Sequence, residues 1–274
     1  MAVEVRQRRD VVRTLGASLR WALCLVAALG TLLLVLVALA GVGSSLPGPT
    51  ASASSPPRLP GLAAKRCTPN LAEMLRSTEG ASQLVTVEAA TLRTSLAEVN
   101  IWRRVGNCWE RVAGPWVSLI GMNGFSDHHR EGDGTTPTGL YRIGPVVYGN
   151  APNPGYRGRY HRFVCGDWWD EDPTSPEYNS FQHVPCGGSP PFGGDSEPLW
   201  MEANYYPSLA VVEYNTHPVV PYAGSAIFVH ASTGAPTTGC ISVPLMELDS
   251  FLRWLSAADL PTIVMGPASE IGRF

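Results

Sequence analysis

With 274 residues, 45% of them hydrophobic and 16% charged, the chain has room for one sizeable globular domain plus extras and lacks the composition of a disordered protein. A formal net charge of −3 and a pI near 6.1 give no basic field for a nucleic acid, and no stripe of aromatic and basic residues provides for base stacking, so nucleic-acid binding is set aside. The 28 glycines and 24 prolines point to a loop-rich, mostly β domain with few helices.

Residues 1–20 are basic, with Arg6, Arg8, Arg9, Arg13 and Arg20, and an uncharged apolar run follows from Trp21 to Val42. At ~1.5 Å per residue this run is ~33 Å of helix, enough to cross a hydrocarbon core. Arginines before the run and none directly after it predict a transmembrane anchor over 21–42 with the rest of the chain outside the cytoplasm. A cleaved signal peptide is the rival, because Ala38, Leu39, Ala40 reads as a small-residue cleavage site and Arg8, Arg9 as a twin-arginine pair. Residues 43–66 form a Pro/Ser/Gly/Ala linker, a composition that buries little and stays extended. The short extension 67–81 places Asn70 as a helix cap before Leu71, Met74 and Leu75.

From Gln83 onward QLVTVEA, LAEVNIWRRV and PWVSLIG predict strands, with Trp102, Trp109 and Trp116 packing inward. Gly121 to Gly144 is a glycine and threonine loop leading into LYRIG, with Gly132, Gly134 and Gly139 free to take positive φ and Pro137 fixing a turn. It reads either as a structural turn or as the border of a site, and His128 and His129, beside Asp127 and Arg130, read as solvated. Residues 149–200 are a long proline-rich insertion containing DWWDEDP, a lid or wall over a cleft. Trp168, Trp169, Asp170, Glu171 and Asp172 then face either a substrate bearing an amine or solvent.

Six cysteines divide by position. Cys24 lies in the apolar run and Cys240 in the candidate site described next, leaving Cys67, Cys108, Cys165 and Cys186. An even remainder in a chain that leaves the cytoplasm predicts two disulfides, and of the three connectivities we expect the nearest-neighbour one, Cys67 with Cys108 and Cys165 with Cys186. The competing reading takes His161, Cys165, His183 and Cys186 as a zinc site from their HxxxC and HxxC spacing.

LAVVEYN predicts a further strand, and His217 before a proline reads as structural or exposed. The stretch Ile227 to Ser242, IFVHASTGAPTTGCIS, then delivers His230 from an apolar strand and reaches Cys240 through a Gly/Pro/Thr loop. An imidazole can take a thiol proton, and the thiolate is a nucleophile, so the pair suits covalent catalysis. The amides of Gly239, Cys240 and Ile241 are candidates to meet a developing oxyanion. The plainer reading is a strand, a loop and a buried free cysteine. Pro244, Leu245, Leu248, Leu252 and Leu255 predict the principal helix, whose N-terminal dipole would favour a thiolate at Cys240, and PTIVMG predicts a closing strand.

Thr237, Thr238, Gly239, Cys240 behind His230 resembles the signature of the L,D-transpeptidase catalytic domain of YkuD type, and GMNGFSDHHREGDGTTPTGLYRIG resembles that family's GDG-x-TPTG stretch. The resemblance covers roughly residues 82–267. It departs where the better-studied branch has a histidine in place of Thr238, an Asn or Arg in place of Ser242, and a longer spacing from His to Cys. It implies a mostly β fold, a mixed β-sandwich with one principal helix after the cysteine, and a cysteine acyltransferase acting on peptidoglycan stem peptides by L,D-transpeptidation or L,D-carboxypeptidation. Cys240 is then the nucleophile and His230 its base, with Gly239, Thr238, Thr237 and Ser242 as substrate or oxyanion contacts and no metal or cofactor. The alternatives are a zinc-dependent cell-wall hydrolase and a catalytically inert wall-binding module. NlpC/P60-type peptidases place Cys before His, and sortase-like enzymes carry a TLxTC strand that is not seen here.

Overall fold

The computed structural model describes residues 66–274. The anchor expected at 21–42 and nearly all of the linker lie outside the described residues, among which no helix is long and apolar enough to cross a membrane.

In chain order the strands are β1 (Gln83–Ala89), β2 (Leu96–Val105), β3 (Cys108–Leu119), β4 (Phe125–Ser126), β5 (Thr136–Pro137), β6 (Gly139–Gly149), β7 (Arg159–Arg162), β8 (Asp167–Asp170), β9 (Ser180–His183), β10 (Glu197–Pro198), β11 (Leu209–Val212), β12 (Phe228–Ala231), β13 (Ile241–Val243) and β14 (Thr262–Pro267). The principal helix, α1 (Leu245–Trp254), lies between β13 and β14. The main sheet runs β11-β12-β13-β3-β2-β1-β14-β6-β7, and β6 also pairs with β11. The two layers of the expected sandwich are thus parts of one mixed sheet that closes on itself. Parallel pairs β1/β14, β12/β13 and β6/β7 sit among antiparallel neighbours.

Period-two alternation explains the two-sided burial of this sheet. Val85, Val87 and Ala89 of β1 join Val99, Ile101, Val229, Ile241, Ile263 and the helix residues Leu248, Phe251 and Leu252 in the main core. Leu84, on the other face, packs with Ala72, Trp102, Trp109, Val264 and Ile271. Every residue of β1 is buried because the extension around Leu71–Met74 and the C-terminal turn Ala268–Arg273 cover its outer face. Each such large aliphatic side chain contributes about 1.5–3 kcal/mol relative to exposure. Trp102 and Trp109 therefore belong to this outer cluster, while Trp116 packs partly against the main core. Asn70 caps its short helix as expected, accepting the Glu73 N–H at 3.1 Å. Leu245, expected on the buried stripe of α1, is exposed in the first turn.

The insertion carries its own three-stranded sheet, β10-β8-β9. Its Phe163, Trp169 and Leu199, with Tyr206 just beyond it, pack with Leu209, Val211, Phe228 and Cys240 of the main sheet and its approaches.

Candidate active site

Alternation along β12 and β13 decides which side chains share a face. Val229, Ala231, Ile241 and Val243 turn to the main core, whereas Phe228 and Cys240 turn to the cluster beneath the insertion. His230 shares that second face, with its ring edge-on to Tyr206 at 5.4 Å. The parallel register sets His230 beside Ser242, and Cys240 lies beside Phe228, whose N–H donates to its Sγ at 3.4 Å. The thiol in turn donates to the Ala226 carbonyl at 3.1 Å. His230 Nδ1 donates to the Ala231 carbonyl at 2.9 Å. This backbone oxygen is the orienting group that no side chain in the sequence identified, and it leaves Nε2 as the basic nitrogen.

The glycine loop braces the cysteine turn. Thr136 Oγ1 donates to Gly239 O at 2.7 Å and accepts the Gly121 N–H at 2.8 Å. Thr237 Oγ1 donates to Cys240 O at 2.7 Å and accepts the Gly239 N–H at 3.2 Å. A β-carbon on Gly239 would stand 3.1 Å from Thr135 O and 3.2 Å from Ile227 Cδ1, so only glycine sits here without displacing a neighbour. Thr238 is exposed, and the Ser242 hydroxyl donates to Leu119 O of β3 at 3.2 Å. The glycine loop therefore borders the candidate site.

Both reactive groups are held neutral. Burial pushes the Cys240 thiol far up, and the Glu197 and Glu171 carboxyls add to this against the opposing Phe228 N–H. Burial pushes His230 down to about 4, with hydrogen bonds to the backbone of Ala231 and Tyr205 acting the other way. The buried residues of α1 belong to the main core, on the sheet face opposite Cys240.

Several residues lie elsewhere than their sequence context suggested. His129, read as solvated, is buried: its Nδ1 lies 3.0 Å from Thr135 Oγ1, which donates to Asp133, and its ring meets Tyr214 edge-on. The absent side chain of Gly224 makes the room, since a β-carbon there would come within 2.3 Å of the imidazole. His128 and His217 are exposed, as expected. Cys165 and Cys186 form one disulfide and Cys67 and Cys108 the other, leaving Cys240 as the free thiol among the described residues. The zinc spacing resolves differently: His161 Nε2 and His183 Nδ1 each lie 2.7 Å from an oxygen of the buried Asp167, so the two imidazoles clamp a carboxylate.

Glu197 of the insertion, Tyr206 just beyond it and Glu131 of the glycine loop are residues that sequence reasoning missed. Tyr206 covers His230 and Phe228 and donates its hydroxyl to Glu197 Oε2 at 2.6 Å. Burial pushes Glu197 up to about 7. Glu131 accepts the Ser225 hydroxyl at 2.6 Å and that of Tyr178. Neither Glu197 nor Tyr206 has a motif around it; Glu131 lies in the glycine loop, and only the acidic run containing Glu171 gave a signal.

The L,D-transpeptidase catalytic domain model, YkuD, matches residues 109–264, more than half of the chain, and the chain belongs to that family. No curated protein and no solved structure matches it. The matched span includes His230 and Cys240; β1 and β2 precede it, yet they complete the sheet between β3 and β14.

Proposed function

We propose that the protein is a cysteine acyltransferase that acts on peptidoglycan stem peptides, by L,D-transpeptidation or L,D-carboxypeptidation, through an acyl-enzyme on Cys240 with His230 as base. The observation that carries this reading is the presence of the free thiol and an oriented imidazole on one face of two adjacent parallel strands, inside the matched family domain. Membership in a family of transpeptidase domains supplies the substrate class.

In the first half-reaction the thiol leaves the Ala226 carbonyl and gives its proton to His230 Nε2. The sulfur adds to the stem-peptide carbonyl, and the amine of the departing amino acid takes the proton as the carbon–nitrogen bond breaks. A second amine, or water, then attacks the thioester, gives up its proton to His230 and frees the thiol. The neutral resting pair suits this sequence, because a buried thiol ionises only when its proton has somewhere to go. Substrate reaches the sulfur only when Trp169 of the insertion and Tyr206 just after it move aside, since both pack over Phe228 beside it. Two disulfides fit a domain outside the cytoplasm, anchored through residues 21–42 or secreted after cleavage there.

The test is intact-mass analysis of the full chain after incubation with a stem tetrapeptide. We expect a covalent adduct that maps to Cys240, with release of the terminal amino acid. Release without any adduct, unchanged in Cys240→Ser, would reject the assignment.

A further inference from the structure

Two consecutive residues of the insertion, Tyr178 and Asn179, reach the short segment that holds the sulfur. This segment, residues 224–226, is fixed by three bonds. The Gly224 N–H donates to Tyr178 Oη at 3.1 Å, the Ser225 hydroxyl to Glu131 Oε2 at 2.6 Å, and the Ala226 N–H to Asn179 Oδ1 at 3.1 Å. Tyr178 donates its own hydroxyl to the same Glu131 oxygen. Asn179 is buried and uses both ends of its amide. Its Oδ1 also accepts the Trp169 indole N–H at 3.1 Å, and its Nδ2 donates to the carbonyls of Tyr214 at 3.0 Å and Asn215 at 2.9 Å. Two donors on one side and two acceptors on the other leave the amide a single orientation.

These contacts bear on Ala226. Its φ of 52° lies in the left-handed region, which a residue with a β-carbon occupies only where its surroundings hold it. Held there, it presents its N–H to Asn179 and its carbonyl to the Cys240 thiol, 3.1 Å away. A carbonyl oxygen facing sulfur favours the thiol and repels a thiolate, whereas the Phe228 N–H at 3.4 Å favours the thiolate. Ionisation therefore requires the sulfur and the Ala226 carbonyl to part. The Asn179 oxygen that holds Ala226 also holds Trp169, whose ring stands edge-on to Phe228 beside the sulfur. Displacing the insertion thus removes the group that keeps Ala226 left-handed.

We propose that Asn179, with Tyr178, is a positioning residue that acts through Ala226 and couples the insertion to the nucleophile. With the insertion closed, the Ala226 carbonyl keeps Cys240 protonated and in place. When substrate displaces the insertion, Ala226 turns its carbonyl away, and the sulfur gives its proton to His230 Nε2. That last step rests on the reading of Cys240 as the nucleophile; the coupling of the closed insertion to the thiol does not.

Alkylation of Cys240 by iodoacetamide in the full chain, followed by the mass of the peptide that carries it, reads the coupling without substrate. Asn179→Gly removes the amide and suits the φ of 60° at this position. It should speed alkylation roughly tenfold or more, because closing then lacks the bonds to Ala226 and Trp169. Ala226→Gly takes the left-handed conformation unaided, so by itself it should alkylate no faster than the unaltered chain. On that background the effect of Asn179→Gly should shrink to within about threefold, and effects that simply multiply overturn the coupling through Ala226. Tyr178→Phe, which drops one hydroxyl and keeps the ring, should speed alkylation about threefold. Circular dichroism shows which variants fold. An unchanged rate in folded Asn179→Gly overturns the proposal, and Tyr178→Phe decides in its place if the glycine variant does not fold. With a stem tetrapeptide, a contact made only in the closed free protein should lower KM for acylation in Asn179→Gly and leave the maximal rate unchanged. Faster alkylation with a lowered maximal rate would mean general loosening of the site and overturns the assignment. If no tetrapeptide acylates the unaltered chain, the acyltransferase reading alone fails, and the alkylation series still decides the coupling.

Discussion

Two segments outside the closed sheet lie over its outer face and each carries a disulfide, Cys67–Cys108 tying the extension to β3 and Cys165–Cys186 closing a loop within the insertion, but the contents beneath them differ. The N-terminal extension, stapled by Cys67–Cys108, lies over Leu84, Trp102, Trp109 and Val264. The polar groups that attach it have partners: Asn70 donates to Trp109 O at 3.1 Å, Glu73 accepts the Trp109 N–H, and the Arg76 N–H donates to Phe274 O at 2.8 Å. The insertion, stapled by Cys165–Cys186, lies over a neutral thiol and carboxyls, one of them with an oxygen that has no donor. Apolar cover with saturated hydrogen bonds contributes stability and stays closed. A cover that holds polar groups short of partners gives up stability to keep a site ready, and is the segment expected to move.

The largest effects that would break this comparison concern the covered thiol. Cys240→Ser should abolish acyl-enzyme formation, since an alcohol in this apolar setting is a far weaker nucleophile. His230→Ala should slow acylation by roughly 10²- to 10⁴-fold, the usual contribution of a positioned base. His128→Ala and His217→Ala, on exposed residues, should change it little. Adduct formation followed by mass spectrometry measures all four, with circular dichroism to show that each variant folds. A folded His230→Ala chain that acylates at the normal rate would remove the imidazole from the mechanism.

Removing the staples comes next. By loop entropy the 41-residue separation of Cys67–Cys108 corresponds to about 4 kcal/mol and the 21-residue separation of Cys165–Cys186 to about 3 kcal/mol. Denaturant unfolding of the two double alanine variants should show losses in that order. Their effect on Cys240 should be reversed. Freeing the insertion should raise the alkylation rate of the thiol by roughly tenfold or more, because each ~1.4 kcal/mol taken off local opening is a factor of ten. Freeing the extension should leave that rate unchanged. Equal alkylation rates in the two variants would mean that the insertion is no more a gate than the extension.

A pH series separates the sheet from the site, because the shifted groups lie in both. His230 is pushed down to about 4 from 6.5, so the folded state excludes a proton that the unfolded chain takes up, and stability is lost as pH falls between those values. Glu88 of β1 is pushed up by burial from 4.5 to about 7, against hydrogen bonds from Thr86 and Asn100. Its Oε1 accepts from Asn100 at 2.5 Å while its Oε2 has no partner. Here the folded state keeps a proton that the unfolded chain has released, so the contribution is present below pH 4.5 and lost as pH rises to 7. Glu88→Gln should therefore be more favourable to stability at pH 8 than at pH 4.5 by about 3 kcal/mol, read from denaturant midpoints. The acid-side loss from His230 should persist in that variant.

What the sequence disclosed follows the range of the interactions involved. QLVTVEA and LAEVNIWRRV coincide with β1 and β2, because alternation and bounding turns are local. His230 and Cys240 were legible from one short signature, and the disulfides from an even count of cysteines. β3 was legible only in its second half: its first half, from Cys108, carries the charged Glu110 and Arg111 and reads as surface. The sheet β10-β8-β9 was not legible, since strands of two to four residues exist only through pairing with one another. His129 was misread because the room for its ring is made by the absent side chain of Gly224, distant in sequence. The contact of Glu131 with Ser225 depends on the same kind of distant assembly, which local pattern cannot show.

The smallest expected effect tests the quieter half of the comparison. Asn70 accepts the Glu73 N–H through Oδ1 at 3.1 Å and donates through Nδ2 to the carbonyls of Thr68 at 3.0 Å and Trp109 at 3.1 Å. It thus caps the short helix Leu71–Met74 and ties it to β3. Loss of a cap of this type costs about 1 kcal/mol, and an alanine here also leaves the Trp109 carbonyl without this donor. Asn70→Ala should lower stability by about that amount while leaving the acylation rate of Cys240 unchanged. If the extension serves only as cover, nothing at the thiol responds to its loosening. A shift in the acylation rate with so small a loss of stability would mean that the outer cluster around Trp102 and Trp109 communicates with the site, and the division of labour between the two segments would have to be abandoned.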